Sequence, residues 1–272
     1  MCQSTFEGRI IMENGFCPHL EIQVAEHCNL NCASCTHFSP LAEPRFIDKE
    51  IFYEQLKAVN TIFKNNCKSL KIMGGEPLLH PEIEQLLSLA RKAMPDIKLT
   101  LQTNGILLTS FADTFWKVCH ENNILVRVTR YPVKLDMENI DIRAKQFDVE
   151  LKYHPSDSSI KSFNLYPLSL NGDQPPQENY ENCKMKMRYV LIKDGRLYPC
   201  PIAGNAEHFN NAFEHQLSCN ENDSISIYDI KNFSEYEEFA CKAIPFCKHC
   251  MPTQYRRDVG WARSKKSITE WT

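Results

Sequence analysis

The chain has 272 residues, of which 43% are apolar, and carries a net charge of −3. A chain of this size can bury a large core and is long enough for one large domain and a small one, and its nearly balanced charge gives no case for a nucleic acid or an acidic membrane surface as a partner. No stretch approaches the roughly 18 consecutive apolar residues of a membrane-spanning helix, and the first residues lack the basic-then-apolar pattern of a secretion signal, so we expect a cytoplasmic protein.

Strand-like apolar runs alternate with amphipathic helical patterns in the first part of the chain. We predict strands at 20–25, 70–73, 97–102, 124–129 and 149–154. Between them we predict a helix capped by Asp48, a helix with Pro81 at its first position and Pro95 beyond its end, and helices near 111–119 and 136–147. Repeated strand–helix units predict an α/β fold with a parallel sheet.

Polar residues alternate with apolar residues within several of these strands. Parallel strands that are covered on both faces are usually almost continuously apolar. The alternation therefore predicts a polar interior on one side of the sheet, suited to a small substrate rich in hydrogen-bonding groups; the alternative is ordinary half-exposed strands on an open sheet. The polar positions are Glu21, Gln23, Lys98, Thr100, Gln102, Arg127, Thr129, Lys152 and His154.

Cys28, Cys32 and Cys35 follow the first predicted strand with the spacing C-x3-C-x2-C. The chain has 13 cysteines and no secretion signal, so metal binding is favoured over disulfides, and the odd total argues against complete pairing. Three thiolates on a four-iron cluster leave one iron open to a ligand that is not protein. The alternative is a zinc site, for which His27 or His37 would have to supply the fourth ligand.

A second motif, Gly74-Gly75-Glu76-Pro77, follows the strand predicted at 70–73. Glycines let the backbone approach a ligand closely. The carboxylate of Glu76 can accept hydrogen bonds from an ammonium group.

In this order, each after a strand, the two motifs resemble the radical S-adenosylmethionine (SAM) superfamily. The resemblance implies a partial (β/α)6 barrel over residues 17–160, after an N-terminal extension of residues 1–16. It also implies a [4Fe-4S] cluster on the three cysteines, with S-adenosyl-L-methionine chelating the open iron and Gly74 to Pro77 contacting it. An aromatic residue usually precedes the third cysteine in this family; here it is Ser34, so we expect the adenine to pack elsewhere, with Phe38 as the candidate.

Further cofactor contacts are predicted where strands end. Gln102, Asn104 and Thr129 lie at the carboxyl ends of strands, where barrels of this kind place their ligands. In the superfamily a hydroxyl near the end of the fourth strand commonly contacts the cofactor, and Thr129 matches that position. Either Arg130 or Arg143 is expected to meet the cofactor carboxylate.

Four more cysteines lie beyond a connecting segment at 161–182. Cys183 and Cys200 flank a predicted hairpin with its turn at Asp194-Gly195, and Cys247 and Cys250 form a C-x2-C pair. Four thiolates can complete an iron-sulfur cluster or a zinc site, and Cys219 or Cys241 could replace one of the four.

The pattern over 183–272 resembles the twitch domain, a short form of the SPASM extension of radical SAM enzymes. The resemblance implies a small cysteine-rich domain, built from a β-hairpin and a helix, that binds one auxiliary [4Fe-4S] cluster.

The resemblance implies an oxidoreductase. It would reductively cleave SAM to a 5′-deoxyadenosyl radical, with an electron from an external donor such as flavodoxin or ferredoxin, and abstract hydrogen from a polar small molecule such as a sugar or aminocyclitol alcohol. His154, Lys152 or Arg127 is expected to accept the proton. The alternatives are a radical SAM epimerase, a peptide-modifying maturase, or a zinc-stabilised interaction module without catalytic activity.

Overall fold

The computed structural model describes residues 17–214 and 217–272. The predicted N-terminal extension, residues 1–16, lies outside these ranges. Within them no helix is both long and apolar enough to cross a membrane.

The first half consists of five parallel strands joined by four helices, so the predicted α/β class is confirmed. Asp48 caps the first helix by accepting from the backbone N–H groups of Glu50 and Ile51. The second helix begins at Ile83, so Pro81 lies just before it rather than at its first position. The elements are β1 His19–Ala25, α1 Lys49–Phe63, β2 Ser69–Gly74, α2 Ile83–Ala93, β3 Lys98–Thr103, α3 Asp113–Glu121, β4 Ile124–Thr129, α4 Met137–Gln146 and β5 Leu151–His154.

The described residues of the second half form short strands and three helices. Asp194 and Gly195, with φ of 49° and 71°, form the predicted hairpin turn, which requires positive φ. The predicted connecting segment holds a strand and a helix of its own. The elements are β6 Ser162–Leu165, α5 Pro176–Asn182, β7 Tyr189–Lys193, β8 Arg196–Tyr198, α6 Pro201–Phe213, β9 Ile225–Ser226, α7 Phe233–Ala240 and β10 Arg256–Gly260.

The main sheet has eight strands in the order β5-β4-β3-β2-β1-β7-β8-β9. Six neighbouring strands of this sheet, β5 to β1 and β7, run parallel. In the sheet β7 lies next to β1 rather than next to β5. In place of the expected six successive strand–helix units, the described residues form four such units followed by the strand β5, and the hairpin β7–β8 extends the same sheet. In a separate two-stranded sheet, β6 pairs with β10.

The two faces of the sheet differ as the alternation predicts. Leu20, Ile22 and Val24 are fully buried in the apolar cluster on the helix side. On the other face, Glu21 pairs with Lys71 of β2 at 2.8 Å, with both side chains largely buried. The interior is polar here and open at the edge strand β5, whose side chains are partly or fully exposed.

Candidate functional site

The three cysteines lie on the loop that leaves the carboxyl end of β1. Burial raises the pKa of the Cys28 thiol to about 11 and that of Cys32 to about 12, and the thiol of Cys35 adds to both shifts. Burial also opposes ionisation of Cys35, but the neighbouring imidazole of His37 outweighs it and lowers the thiol pKa. The loop thus gathers three thiols in one buried place, and metal binding there would release protons.

The Gly-Gly-Glu-Pro turn packs against the start of this loop. The N–H of Gly75 donates to the carbonyl of Ala25 at 2.7 Å, and that of Glu76 donates to the carbonyl of His27 at 3.0 Å. A Cβ on Gly75 would lie 2.0 Å from the His27 carbonyl oxygen, and one on Gly74 would lie 2.2 Å from that of Ala25. Glycine is therefore required at both positions because the backbone of the cysteine loop lies too close for a side chain. The sequence analysis had attributed the two glycines to close approach of the backbone to a ligand.

Glu76 connects β2 to the end of β3 and is almost completely buried. One carboxylate oxygen accepts from the Leu78 N–H at 3.1 Å and from the Thr103 hydroxyl at 2.6 Å, and the other accepts from the Asn104 N–H at 2.8 Å. An ionised carboxylate has about four acceptor positions, so one remains for a further donor such as an ammonium. Pro77, which follows, is buried at the start of a short 3-10 turn.

The buried carboxylate of Glu76 has a pH-dependent effect on stability. Burial raises its pKa to about 7, and its three donors only partly offset that effect. A carboxyl whose pKa is higher in the folded protein stabilises the fold at low pH and loses this contribution as pH rises to the folded pKa. Relative to Glu76→Gln, the wild-type free energy of unfolding should fall by about 3 kcal/mol between pH 4.5 and pH 8. Urea unfolding of both proteins across this range tests it; a pH-independent difference would contradict it.

The structure brings the predicted cofactor residues together at the carboxyl edge of the sheet. The side-chain amide of Asn104 donates to Asn29 at 2.7 Å and lies 3.8 Å from the Cys28 sulfur. Gln102 donates to the hydroxyl of Thr129 at 2.6 Å, which joins the ends of β3 and β4. Polar side chains therefore line the carboxyl ends of β2, β3 and β4 beside the cysteine loop.

Two aromatic residues at the site were missed by the sequence analysis. The indole N–H of Trp261 donates to the Cys32 sulfur at 3.1 Å. The ring of Tyr131 lies 6.1 Å from that of Trp261, and burial followed by the three cysteine thiols raises the pKa of its hydroxyl. No local pattern marks Trp261, because 229 residues separate it from Cys32.

Other predicted residues lie away from the cysteine loop or have exposed side chains. His154 and Lys152 are exposed on the edge strand β5, and Lys152 pairs with Glu150 at 2.6 Å. This placement does not support a proton acceptor in a site that excludes water.

The two candidate arginines differ in position. Arg143 pairs with Asp113 on the helix side at 2.8 Å. Arg130 follows β4 and donates to the carbonyl of Ser156, so of the two only Arg130 lies at the carboxyl edge of the sheet.

The expectation that Phe38 packs on the adenine is wrong. Phe38 has no exposed surface and packs against Phe209 and Trp271, with ring centroids 5.5 and 5.7 Å away. Ser34 also points away from a ligand, because its hydroxyl donates to the carbonyl of Glu270.

A second group of thiols surrounds a cavity of about 60 Å³. This volume exceeds the space needed by one water molecule. Burial raises the pKa of Cys200 to about 12 and that of Cys247 to about 11, with neighbouring thiols contributing to both. Four of the cavity's lining residues are Cys183, Cys200, Cys247 and Cys250.

The two alternative ligands do not line this cavity. Cys219 is exposed and its thiol donates to the carbonyl of Leu217, and Cys241 follows α7 outside the lining. The four predicted cysteines therefore line the same cavity, and Cys219 and Cys241 are not part of its lining.

The spacing of the thiols can be compared with that of a tetrahedral zinc site. Tetrahedral zinc with Zn–S bonds of about 2.3 Å brings its sulfurs within about 4 Å of one another. Among the described residues, the only three ligand atoms within 4.8 Å of one another belong to Glu26, Glu207 and His208, and Lys193 already pairs with both carboxylates. In the described part of the chain, neither cysteine group has three ligand atoms this close to one another.

Asn179 of α5 fixes the loop that carries Cys247 and Cys250. Its buried side-chain amide donates to the backbone carbonyls of these two cysteines at 2.8 and 2.6 Å. Asn179→Ala should lower the free energy of unfolding by about 1–3 kcal/mol, because the Cys250 carbonyl loses the amide donor and the Cys247 carbonyl keeps only the backbone N–H of Cys250. Chemical unfolding measures this loss. Asn182→Ala, on the exposed side of the same helix, is the control, and equal effects of the two changes would contradict the assignment.

The sequence is similar to those of enzymes named GTP 3′,8-cyclase. GTP 3′,8-cyclase from Sulfurimonas denitrificans is 32% identical over 97 residues, which are 35% of this chain and 29% of that enzyme. GTP 3′,8-cyclase from Helicobacter pylori is 22% identical over 254 residues, with coverage of 85% and 75%. The chain thus spans less than a third of the Sulfurimonas enzyme.

Two solved structures are similar at low identity. BtrN in complex with AdoMet and 2-DOIA is 16% identical with a TM-score of 0.49, covering 86% of this chain and 92% of that one. Native anSMEcpe with bound AdoMet and Cp18Cys peptide is 25% identical with a TM-score of 0.36, covering 50% and 42%.

The family model of the radical SAM superfamily matches residues 22–149, the segment that contains the three-cysteine loop, the Gly-Gly-Glu-Pro turn and Asn104. The family implies a [4Fe-4S] cluster and SAM, and the three-thiol donor set fits that cluster. Residues 22–149 therefore form a radical SAM domain.

Proposed function

We propose that this protein is a radical SAM oxidoreductase that transfers a hydrogen atom from a polar small molecule to the 5′-deoxyadenosyl radical. The substrate radical then releases a proton and passes an electron to an auxiliary [4Fe-4S] cluster. The observation that carries the oxidative assignment is the second thiol group. Four cysteines line one cavity and can complete a cluster, whereas the amino-terminal loop offers only three. One incomplete and one complete ligand set suit SAM cleavage and electron acceptance, respectively.

The chain's own residues define the amino-terminal site. Cys28, Cys32 and Cys35 would bind the first cluster, and the remaining acceptor position of Glu76 would take the cofactor ammonium. Asn104 touches the cysteine loop and would orient the bound cofactor. When bound, the cluster and SAM together supply a 5′-deoxyadenosyl radical, with an electron from an external donor such as flavodoxin or ferredoxin.

The polar face of the sheet would hold the substrate. Glu21 and Lys71 form a largely buried pair below the cofactor residues, and the Lys71 ammonium lies 4.2 Å from the centre of the Tyr189 ring. A neighbouring side chain, Gln23, has a buried carbonyl oxygen with no partner. Such groups favour a ligand with several hydroxyl or amino groups over an apolar one.

A sugar or aminocyclitol alcohol fits this chemistry. This chain resembles 2-deoxy-scyllo-inosamine dehydrogenase in its length and in the arrangement of its later cysteines. On this resemblance, residues 17–160 of this chain would form the barrel and residues 183–272 the twitch domain. An epimerase and a peptide-modifying maturase use similar clusters, and the cyclase relatives add GTP as a substrate to be tested.

The test is product analysis under anaerobic conditions. Reconstituted, reduced protein is incubated with SAM and either aminocyclitols, sugars or GTP, and the products are identified by mass spectrometry. We expect 5′-deoxyadenosine together with an aminocyclitol or sugar product two hydrogens lighter. An unchanged substrate mass with deuterium taken from solvent would indicate epimerisation, and consumption of GTP alone would indicate cyclisation; either result would overturn the oxidative assignment.

A further inference from the structure

The C-terminal strap, residues 261–271, lies along the three-cysteine loop. Two backbone hydrogen bonds join them, from the Ala33 N–H to the Ala262 carbonyl at 3.0 Å and from the Ser264 N–H to the Asn31 carbonyl at 2.7 Å. The indole N–H of Trp271 donates to the carbonyl of Cys35 at 2.9 Å. The strap thus holds the loop by its backbone at several points.

One contact of the strap reaches a ligand sulfur directly. Trp261 donates to the Cys32 sulfur at 3.1 Å, closer than the donors to Cys28, which are the Leu30 N–H at 3.4 Å and the Asn104 amide at 3.8 Å. Cys32 is only 7% exposed, and a hydrogen bond in such surroundings is strengthened by the low local dielectric constant. The ring of Tyr131 lies beside the indole, with ring centroids 6.1 Å apart.

We infer that Trp261 is a positioning residue that raises the reduction potential of the cluster bound by Cys28, Cys32 and Cys35. A donor to a ligand sulfur stabilises the extra negative charge that the cluster carries after one-electron reduction, so the reduced form is favoured. The strap follows β10, which separates it along the chain from the segment that carries Cys247 and Cys250. The inference rests on the proposed amino-terminal cluster.

The test is a potentiometric titration of the reconstituted holoprotein, followed by electron paramagnetic resonance. The signal that changes when SAM is added identifies the amino-terminal cluster. Trp261→Phe keeps an aromatic ring but removes the indole N–H, so we expect a more negative midpoint potential. At the wild-type midpoint the ratio of reduced to oxidised cluster should fall about tenfold, which is 59 mV for a one-electron couple.

The control is Trp271→Phe, which removes a strap contact to a backbone carbonyl and leaves the sulfur contact in place. Its midpoint should match wild type. Equal shifts in the two variants, or no shift in Trp261→Phe, would overturn the inference.

If Trp261→Phe fails to retain iron, 3-benzothienylalanine at position 261 replaces the N–H by sulfur with nearly the same shape, and the same shift is expected. An unshifted midpoint there would likewise overturn the inference. Failure of the proposed function gives a different result, because wild-type protein would then lack the SAM-responsive signal altogether.

Discussion

Cys32→Ala is expected to abolish the formation of 5′-deoxyadenosine. Cys32 is one of only three thiols on the loop after β1, and it is held by the strap through Trp261. With two thiolates left, the cluster would lose a second iron–protein bond in addition to the position reserved for the cofactor. Iron content should fall from about eight to about four atoms per chain, since each cluster has four irons.

The readout for Cys32→Ala is chromatographic detection of 5′-deoxyadenosine, together with iron and sulfide analysis. Cys219→Ala is the matched control, because Cys219 is exposed and belongs neither to the three-cysteine loop nor to the lining of the second cavity. It should keep full iron content and full SAM cleavage. Cleavage by Cys32→Ala at the wild-type rate would exclude the amino-terminal cluster as the site of this chemistry.

Cys200→Ala is expected to separate SAM cleavage from substrate oxidation. Cys200 lies at the start of α6 and is one of the four cysteines around the second cavity. Without it the auxiliary cluster lacks a ligand and the electron from the substrate has no acceptor, so oxidised product should fall by at least about 100-fold while 5′-deoxyadenosine formation falls far less.

The measurement for Cys200→Ala is the ratio of oxidised product to 5′-deoxyadenosine. Circular dichroism and thermal unfolding show whether the variant is folded, because β7 and β8 belong to the main sheet and a folding defect would reduce both activities equally. Cys241→Ala should leave the ratio unchanged. Loss of iron from Cys241→Ala instead of Cys200→Ala would show that the ligand set is wrong.

Features determined by short stretches of sequence were predictable. The five strands of the first half, the cap at Asp48 and the turn at Asp194-Gly195 follow from local periodicity, side-chain hydrogen bonding and positive-φ preference. The cysteine spacing and the Gly-Gly-Glu-Pro motif carried the superfamily resemblance because both are short and stand after strands.

Features that depend on contacts between distant segments were not predictable. The pairing of β7 with β1 brings the second half of the chain into the main sheet, and no local pattern encodes that partner. The contact between Trp261 and Cys32 arises in the same way. His154 and Lys152 had the expected alternation, but β5 is an edge strand, so the same pattern gives exposed side chains there.

The most direct test of the three-thiol site is electron paramagnetic resonance on anaerobically prepared, reduced protein before and after addition of SAM. A cluster with one open iron should give a signal that shifts when the cofactor chelates that iron, and the shift should persist in Cys200→Ala and vanish in Cys32→Ala. A spectrum that SAM leaves unchanged in wild-type protein would contradict the assignment of Cys28, Cys32 and Cys35.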